Sequence, residues 1–173
     1  MNKPPGITSN QEESSQGSAV AISSNILLTN CHVIKNPKHT FIFRDDAGEE
    51  VYPVRVIFQN QKADRCQLEV WKIKLQPVEG VRSYGSLQIG EKVYAIGSPR
   101  SLTRTLSEGL VSGLSNSKNS DQKLIQTSAP ISPGSSGGGL FDDRGNLVGI
   151  TTKSKKDSQN FGFAIAAEDF FRK

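Results

Sequence analysis

The chain has 173 residues, 35% of them hydrophobic, and a net charge of +4, which suits one compact unit or two small halves. The charge is mild, and the basic residues lack the interleaved aromatic residues of a nucleic-acid-binding surface, so we expect a solvated loop and no nucleic-acid partner. These residues are Lys153, Lys155, Lys156, Arg100 and Arg104. No apolar run is long enough for a membrane span or a signal-peptide core. We therefore expect no membrane association and, if Met1 is the native start, a cytoplasmic location.

Short apolar runs separated by glycine and turn residues predict an all-β barrel protein. Residues 1–16 are polar and are expected to be flexible. Strands are then predicted at 18–28, 40–44, 51–59, 66–74, 91–96, 103–113, 122–128, 145–152 and 161–166. A short helix is predicted at 167–172, and residues 77–90 read as a connection between two halves.

The run Gly134-Ser135-Ser136-Gly137-Gly138 is the strongest functional signal. A nucleophilic serine needs backbone N–H groups aimed at the substrate carbonyl, and glycine permits both the tight turn and the close approach of substrate. A flexible linker is the alternative, but strand-like runs lie on both sides of this segment. Ser136 is therefore the candidate nucleophile.

A nucleophilic serine requires a general base, and the chain has two histidines. His32 follows directly after the apolar run Ile26–Thr29. His39 lies in a polar, turn-like stretch and reads as a surface residue. His32 is therefore the candidate base.

The order of several motifs resembles that of trypsin-like serine proteases, and most closely the compact bacterial trypsin-like peptidases and the HtrA proteases. The resemblance rests on Gly17–Ile22, Leu28–Val33, Val93–Pro99, Glu108–Ser112, Gly134–Gly138 and Phe161–Ile165. It implies a chymotrypsin-like fold of two antiparallel six-stranded-type β-barrels with a short C-terminal helix. The first barrel would span about 17–76 and the second about 91–166, within a protease domain at 17–173.

The third member of the triad is expected at Asp64, 32 residues after His32 and 72 before Ser136. In the family, the catalytic aspartate opens an apolar strand. Residues 64–70 alternate cleanly, which predicts a strand with one face on the core. The family usually has apolar residues where Arg65 and Gln67 stand, so the outer face of this strand departs from the pattern. Asp45, in a predicted turn, is the second candidate.

The resemblance implies a serine endopeptidase that needs no metal or cofactor. His32 would act as general base and acid, Asp64 would orient it, and the loop Gly134, Ser135 and Ser136 would form the oxyanion hole. Ser135 stands where pancreatic-type proteases have an aspartate that pairs with a new N-terminus. Activation by such a terminus is therefore not expected. The loop is either preformed or ordered by substrate, by a partner or by another domain.

By the same resemblance, Pro130 and Ile131 would form the base of the specificity pocket, and Phe163, Ala164 and Ile165 its wall. These residues carry no acidic group, which predicts a small or medium aliphatic residue before the cleaved bond of a polypeptide substrate. Packing in the core is the alternative role of each.

Cys31 and Cys66 are expected to be separate buried thiols, although the resemblance brings their backbones close enough for a disulfide.

An alternative function is that of a binding module, which has the protease fold but does not turn over substrate. The presence of candidates for all three triad positions favours the enzyme.

Overall fold

Short strands build two antiparallel sheets. The computed structural model describes residues 15–34, 40–44, 50–98, 104–117, 122–152 and 161–172. The first sheet has five strands in the order β1-β2-β5-β4-β3. Their bounds are β1 Val20–Ala21, β2 Ile26–Thr29, β3 Phe41–Arg44, β4 Glu50–Asn60 and β5 Arg65–Val70.

The second sheet closes into a barrel in the order β10-β11-β8-β7-β6-β9. Its strands are β6 Lys92–Gly97, β7 Thr105–Asn116, β8 Lys123–Thr127, β9 Gly139–Phe141, β10 Leu147–Thr152 and β11 Gly162–Ala166. The predicted all-β class with two antiparallel halves is confirmed. Among the described residues the first half is an open half-barrel, whereas the second closes with six strands.

The boundaries of several elements differ from the prediction. The run 18–28 contains two strands, because the chain turns at Ile22, whose N–H bonds the Ile26 carbonyl at 2.9 Å. Strand β5 ends at Val70 rather than at 74, and Lys72 beyond it has a positive φ of 111°. Strand β9 was not predicted, since it has three residues and begins inside the glycine run.

Helical structure in the described residues is limited to short 3₁₀ turns. These are Cys31–Val33, Tyr84–Ser86 and Ala167–Phe171. The helix predicted at 167–172 is thus a 3₁₀ turn ending at Phe171. No helix in this part of the chain has the length and apolar character that crossing a membrane requires.

The apolar face of each strand enters one of three core clusters. Leu68 and Val70 pack with Leu27 and Val54 inside the first sheet. Inside the barrel lie Val93, Val111, Ile125, Leu140 and Val148. The third cluster takes members from both sheets, among them Leu28, Ile150, Ile165 and Phe170. This shared cluster joins the two halves and places the end of β2 beside the barrel.

Candidate active site

His32 and Asp64 form the best-defined polar pair of the site. His32 lies in the 3₁₀ turn after β2, and Asp64 directly precedes β5. The Nδ1 of His32 lies 2.7 Å from Oδ2 of Asp64, and the backbone N–H of His32 donates to Oδ1 at 2.9 Å. An ionised carboxylate only accepts, so this contact assigns the ring proton to Nδ1, and in the neutral imidazole Nε2 is then an acceptor. Among the described residues, Nε2 is buried and has no hydrogen-bond partner.

The backbone of Asp64 is held in a left-handed conformation with φ of 50°. Aspartate tolerates this region better than most residues, because its short side chain bonds locally. The Asp64 carbonyl accepts a bond of 3.2 Å from the Asn30 side-chain amide, and Thr152 donates its hydroxyl to Oδ2 at 3.2 Å. The carboxylate is therefore fixed by His32, in the 3₁₀ turn after β2, and by Thr152 of β10, while Asn30 holds the backbone of Asp64.

A disulfide joins the segment of the histidine to that of the aspartate. Cys31, next to His32, bonds to Cys66, two residues after Asp64, and their Cα atoms lie 5.0 Å apart. The expectation of two separate thiols is wrong. The physical reason is the register of β2 and β5, in which Thr29 lies opposite Cys66 and brings the neighbouring Cys31 within bonding distance.

The loop that carries Ser136 is fixed through its carbonyl groups. The Ser135 carbonyl accepts from the Thr151 hydroxyl at 2.7 Å and from the Gly138 N–H at 2.9 Å. The Gly137 N–H donates to the Thr151 carbonyl at 2.8 Å. Gly137 has φ of 89°, and a Cβ there would lie 2.0 Å from the Ser18 carbonyl oxygen, so only glycine fits. The loop is thus packed tightly against β10 and the start of the first sheet.

Two backbone donors of this loop stay available. Within the part of the chain that the structure describes, the N–H groups of Gly134 and Ser136 donate to no other group. The N–H of Ser135 donates instead to the Ser132 carbonyl at 2.9 Å. Of the three residues predicted for the oxyanion hole, the structure therefore leaves the donors of Gly134 and Ser136 unused and occupies that of Ser135.

Ser136 comes from the opposite side of the site and is 8% exposed. No hydrogen bond joins its hydroxyl to His32 among the described residues. Gly17 lies between the two segments, because a Cβ there would be 2.4 Å from Val33 and 2.9 Å from the Ser136 carbonyl oxygen. The structure thus pairs His32 with Asp64 directly and places the Ser136 loop beside them without that bond. Catalytic hydrogen bonds are often long in the absence of substrate.

Of the residues predicted for the specificity pocket, Ala164 and Ile165 are buried in the core, whereas Pro130, Ile131 and Phe163 are at least partly exposed. Ile131 packs against Gly162, where an added Cβ would lie 2.4 Å from its Cδ1 atom. Ala164, on the same face of β11 as Gly162, is buried in the barrel core. Ile165 is 1% exposed in the cluster shared by the two sheets, where its side chain contacts core residues. Pro130 is exposed and Phe163 is half-buried.

Two residues that hold the site, Thr152 and Ser18, were not predicted from the sequence. Thr152 bonds Asp64 across 88 residues, and the Ser18 hydroxyl bonds the Gly134 carbonyl across 116. Nothing in the residue type marks either position, although Ser18 lies within the first motif that carried the resemblance. His39, Asp45, Arg100, Lys153, Lys155 and Lys156 lie outside the described residues.

An open half-barrel and a closed barrel, with a His–Asp pair on one and a glycine-flanked serine on the other, define the chymotrypsin-like class of peptidase folds. A family model described as trypsin-like peptidase domain matches residues 17–150. The chain belongs to this family.

The relatives of the chain are HtrA-type serine proteases. The chain is 35% identical over 153 residues to Protease Do-like 1, chloroplastic, of Arabidopsis thaliana, covering 82% of this chain and 34% of that protein. It is 30% identical over 177 residues to Serine protease Do-like HtrA of Bacillus subtilis, covering 94% and 39%. It spans roughly a third to two fifths of the length of such relatives.

Solved structures agree with this placement. The HtrA-type protease AlgW with a decapeptide superimposes with a TM-score of 0.80 at 29% identity, over 90% of this chain and 49% of that one. A variant of AlgW with a tripeptide gives a TM-score of 0.81 at 30% identity, over 92% and 55%.

Proposed function

We propose that the chain is a serine endopeptidase domain in which Ser136, His32 and Asp64 form the catalytic triad. The observation that carries the proposal is the contact of 2.7 Å between His32 Nδ1 and Asp64 Oδ2, with the opposite ring nitrogen left without a partner. A ring nitrogen in this state is an acceptor for the proton of an attacking hydroxyl. Asp64 holds the ring orientation and stabilises the imidazolium that forms.

The reaction follows the acyl-enzyme route. Ser136 Oγ attacks the scissile carbonyl while His32 Nε2 takes its proton, and the tetrahedral oxyanion lies between the N–H groups of Gly134 and Ser136. His32 then gives the proton to the leaving amine, and water hydrolyses the ester. The two unused N–H groups support this role because the surrounding peptides are already bonded and need no rearrangement.

The substrate that we propose is a polypeptide with a small or medium aliphatic residue before the cleaved bond. The structures of AlgW with peptides support the polypeptide, and the contact of Ile131 with Gly162 supports the preference. The Ile131 side chain fills this space and leaves room for few substrate atoms, and neither Ile131 nor Gly162 carries a charge for a basic substrate residue. We leave Ala164 and Ile165 out of the pocket, because both side chains are buried in the core.

The triad is tested by intact-mass analysis after treatment with a fluorophosphonate. We expect one adduct on the wild type, mapping to the Gly134–Gly138 peptide, and none on Ser136→Ala. Ser112→Ala, which changes a half-buried serine on β7, is the control and should label like the wild type. The absence of an adduct on the folded wild type would favour the binding module. Full labelling of the isolated chain would show that the loop is preformed, without an activating partner or a further domain.

The preference is tested with a peptide library that varies the residue before the cleaved bond. Ile131→Ala should shift cleavage towards larger apolar residues, since it removes the side chain that covers Gly162. Ile89→Ala is the control, because Ile89 is 68% exposed. An unchanged profile for Ile131→Ala, or a wild-type preference for Lys or Arg, would contradict the proposed pocket.

A further inference from the structure

Ser18, at the start of the first sheet, bonds to the nucleophile loop on both sides of Ser135. Its hydroxyl donates to the Gly134 carbonyl at 2.9 Å, and its N–H donates to the Ser136 carbonyl at 2.8 Å. These two carbonyls belong to the peptides that precede and follow the Ser135–Ser136 peptide. Thr151 holds the middle peptide through the Ser135 carbonyl. Three consecutive peptide planes are therefore fixed, two of them by Ser18.

Ser18 is itself held in place. Its hydroxyl accepts a bond of 2.9 Å from the Ser98 N–H, so the hydroxyl hydrogen is directed at Gly134. Its carbonyl accepts a bond of 2.7 Å from the Thr29 hydroxyl. A Cβ on Gly97 would lie 3.2 Å from the Ser18 hydroxyl, which leaves this oxygen little room to move. Ser18 thus acts as a fixed point between β2, the end of β6 and the nucleophile loop.

The loop needs such a fixed point because of its own composition. Gly134 has φ of 96°, a conformation that glycine enters and leaves easily. The Gly134 carbonyl belongs to the Gly134–Ser135 peptide, so rotation of that peptide would shift the Cα of Gly134 and the following Ser135–Ser136 peptide, which carries the Ser136 N–H. Ser135 carries no carboxylate that could pair with a chain terminus. Among the residues described, the Ser18 hydroxyl is the group that bonds the Gly134 carbonyl.

We propose that Ser18 is a positioning residue for the oxyanion hole. It fixes the peptides on both sides of the Ser135–Ser136 peptide, and so places the Ser136 N–H and the Cα of Gly134, from which the second donor extends. This inference rests on the proposed function of the Ser136 loop. Ser18 contacts neither substrate nor the reacting atoms in this scheme, and it acts through Gly134. The two bonds from Ser18, just before β1, would keep the loop ordered without the ion pair of the pancreatic-type proteases.

The test is Ser18→Ala, which removes the hydroxyl and keeps the backbone bond to Ser136. We expect kcat to fall about 10- to 100-fold with KM unchanged, the range for a misplaced oxyanion donor. Fluorophosphonate labelling and the affinity for a peptide boronic acid, which forms a tetrahedral adduct, should fall by a similar factor. The affinity of a substrate peptide, measured with Ser136→Ala as the background, should stay the same. Ser23→Ala is the control, because it removes a half-buried hydroxyl in the β1–β2 turn.

A kcat for Ser18→Ala within twofold of the wild type would overturn the inference, and so would an equal loss of peptide affinity. If Ser18→Ala does not fold, Thr29→Val loosens Ser18 through its carbonyl and should lower kcat by a smaller factor at constant KM. An unchanged kcat in that folded variant would then count against the inference. The proposed function fails separately, if the wild type is not labelled or if Ser136→Ala retains turnover.

Discussion

The side-chain amide of Gln67, on β5, donates a hydrogen bond of 2.7 Å to the backbone carbonyl of Phe170, 103 residues later in the chain. Its neighbour Arg65 is 6% exposed and donates to the Asp169 carbonyl. These are the two positions at which the strand departs from the family pattern. Both side chains attach the 3₁₀ turn Ala167–Phe171 to the strand that follows Asp64. The polar face of β5 is therefore an attachment site and not a solvated surface.

Removal of this attachment should destabilise the fold. Gln67→Leu keeps the volume but leaves the buried Phe170 carbonyl without its donor, and the free energy of unfolding should fall by about 1–3 kcal/mol. Gln59→Leu, at an exposed position on β4, should change it by less than about 0.5 kcal/mol. Urea unfolding measures both. Equal effects of the two variants would contradict the role of Gln67.

The same 3₁₀ turn predicts a loss of stability in acid. The hydrogen bond from the Lys123 ammonium, aided by the Tyr84 N–H, holds the pKa of Glu168 below its ordinary value of 4.5, although burial opposes the shift. The folded pKa lies below the unfolded one, so the contribution is present above about pH 4.5 and is lost as the pH falls through the folded pKa.

The free energy of unfolding of Glu168→Gln should therefore depend less on pH in this acid range than that of the wild type. Glu79→Gln, at an exposed position, should follow the wild type. The measurement is the urea midpoint at a series of pH values. Parallel curves for the wild type and Glu168→Gln would show that the Lys123 contact contributes nothing to folding.

The Cys31–Cys66 disulfide should contribute to stability through the unfolded state. It closes a loop with a sequence separation of 35 residues. The chain-entropy relation gives about 3–4 kcal/mol for a loop of this size, and the double variant Cys31→Ala/Cys66→Ala should lose this amount. Alkylation of the denatured wild type should give no labelled cysteine unless a reductant is added. Two labels without reductant would contradict the bond.

Alanine substitutions at Gly137 and Gly145 would distinguish the cost of backbone strain from the cost of steric conflict. Both have positive φ, of 89° and 80°, but a Cβ would meet atoms at 2.0 Å and 2.4 Å at Gly137 and nothing within 4 Å at Gly145. Gly145→Ala should cost about 1–2 kcal/mol. Gly137→Ala should cost about 1–3 kcal/mol more, because Ser18 and Thr29 must shift, and it should also lower turnover. Thermal and urea unfolding give the first quantity, and kcat gives the second. Equal costs would mean that the loop accommodates the methyl group.

The sequence was sufficient for local features and insufficient for long-range ones. Alternation along β5 placed Leu68 and Val70 correctly in the core. The position of His32 after an apolar run and the resemblance to trypsin-like proteases led to His32 and Asp64, which the structure pairs. The same alternation placed Arg65 on the polar outer face of β5, but a period of two cannot show that the 3₁₀ turn Ala167–Phe171 covers that face. Ser18 was overlooked for a similar reason, since a serine hydroxyl shows its role only through its partner.

The bond between Ser18 and Gly134 spans 116 positions of the chain. Contacts of such sequence separation form only after much of the intervening chain has been ordered, and they make folding slow. The hole proposed here therefore depends on the union of the first and last thirds of the polypeptide, and the pairing of His32 with Asp64 alone does not complete it. Under the proposed function, hydrolysis therefore requires the completed tertiary structure. A partly folded chain would then leave its own exposed segments uncleaved.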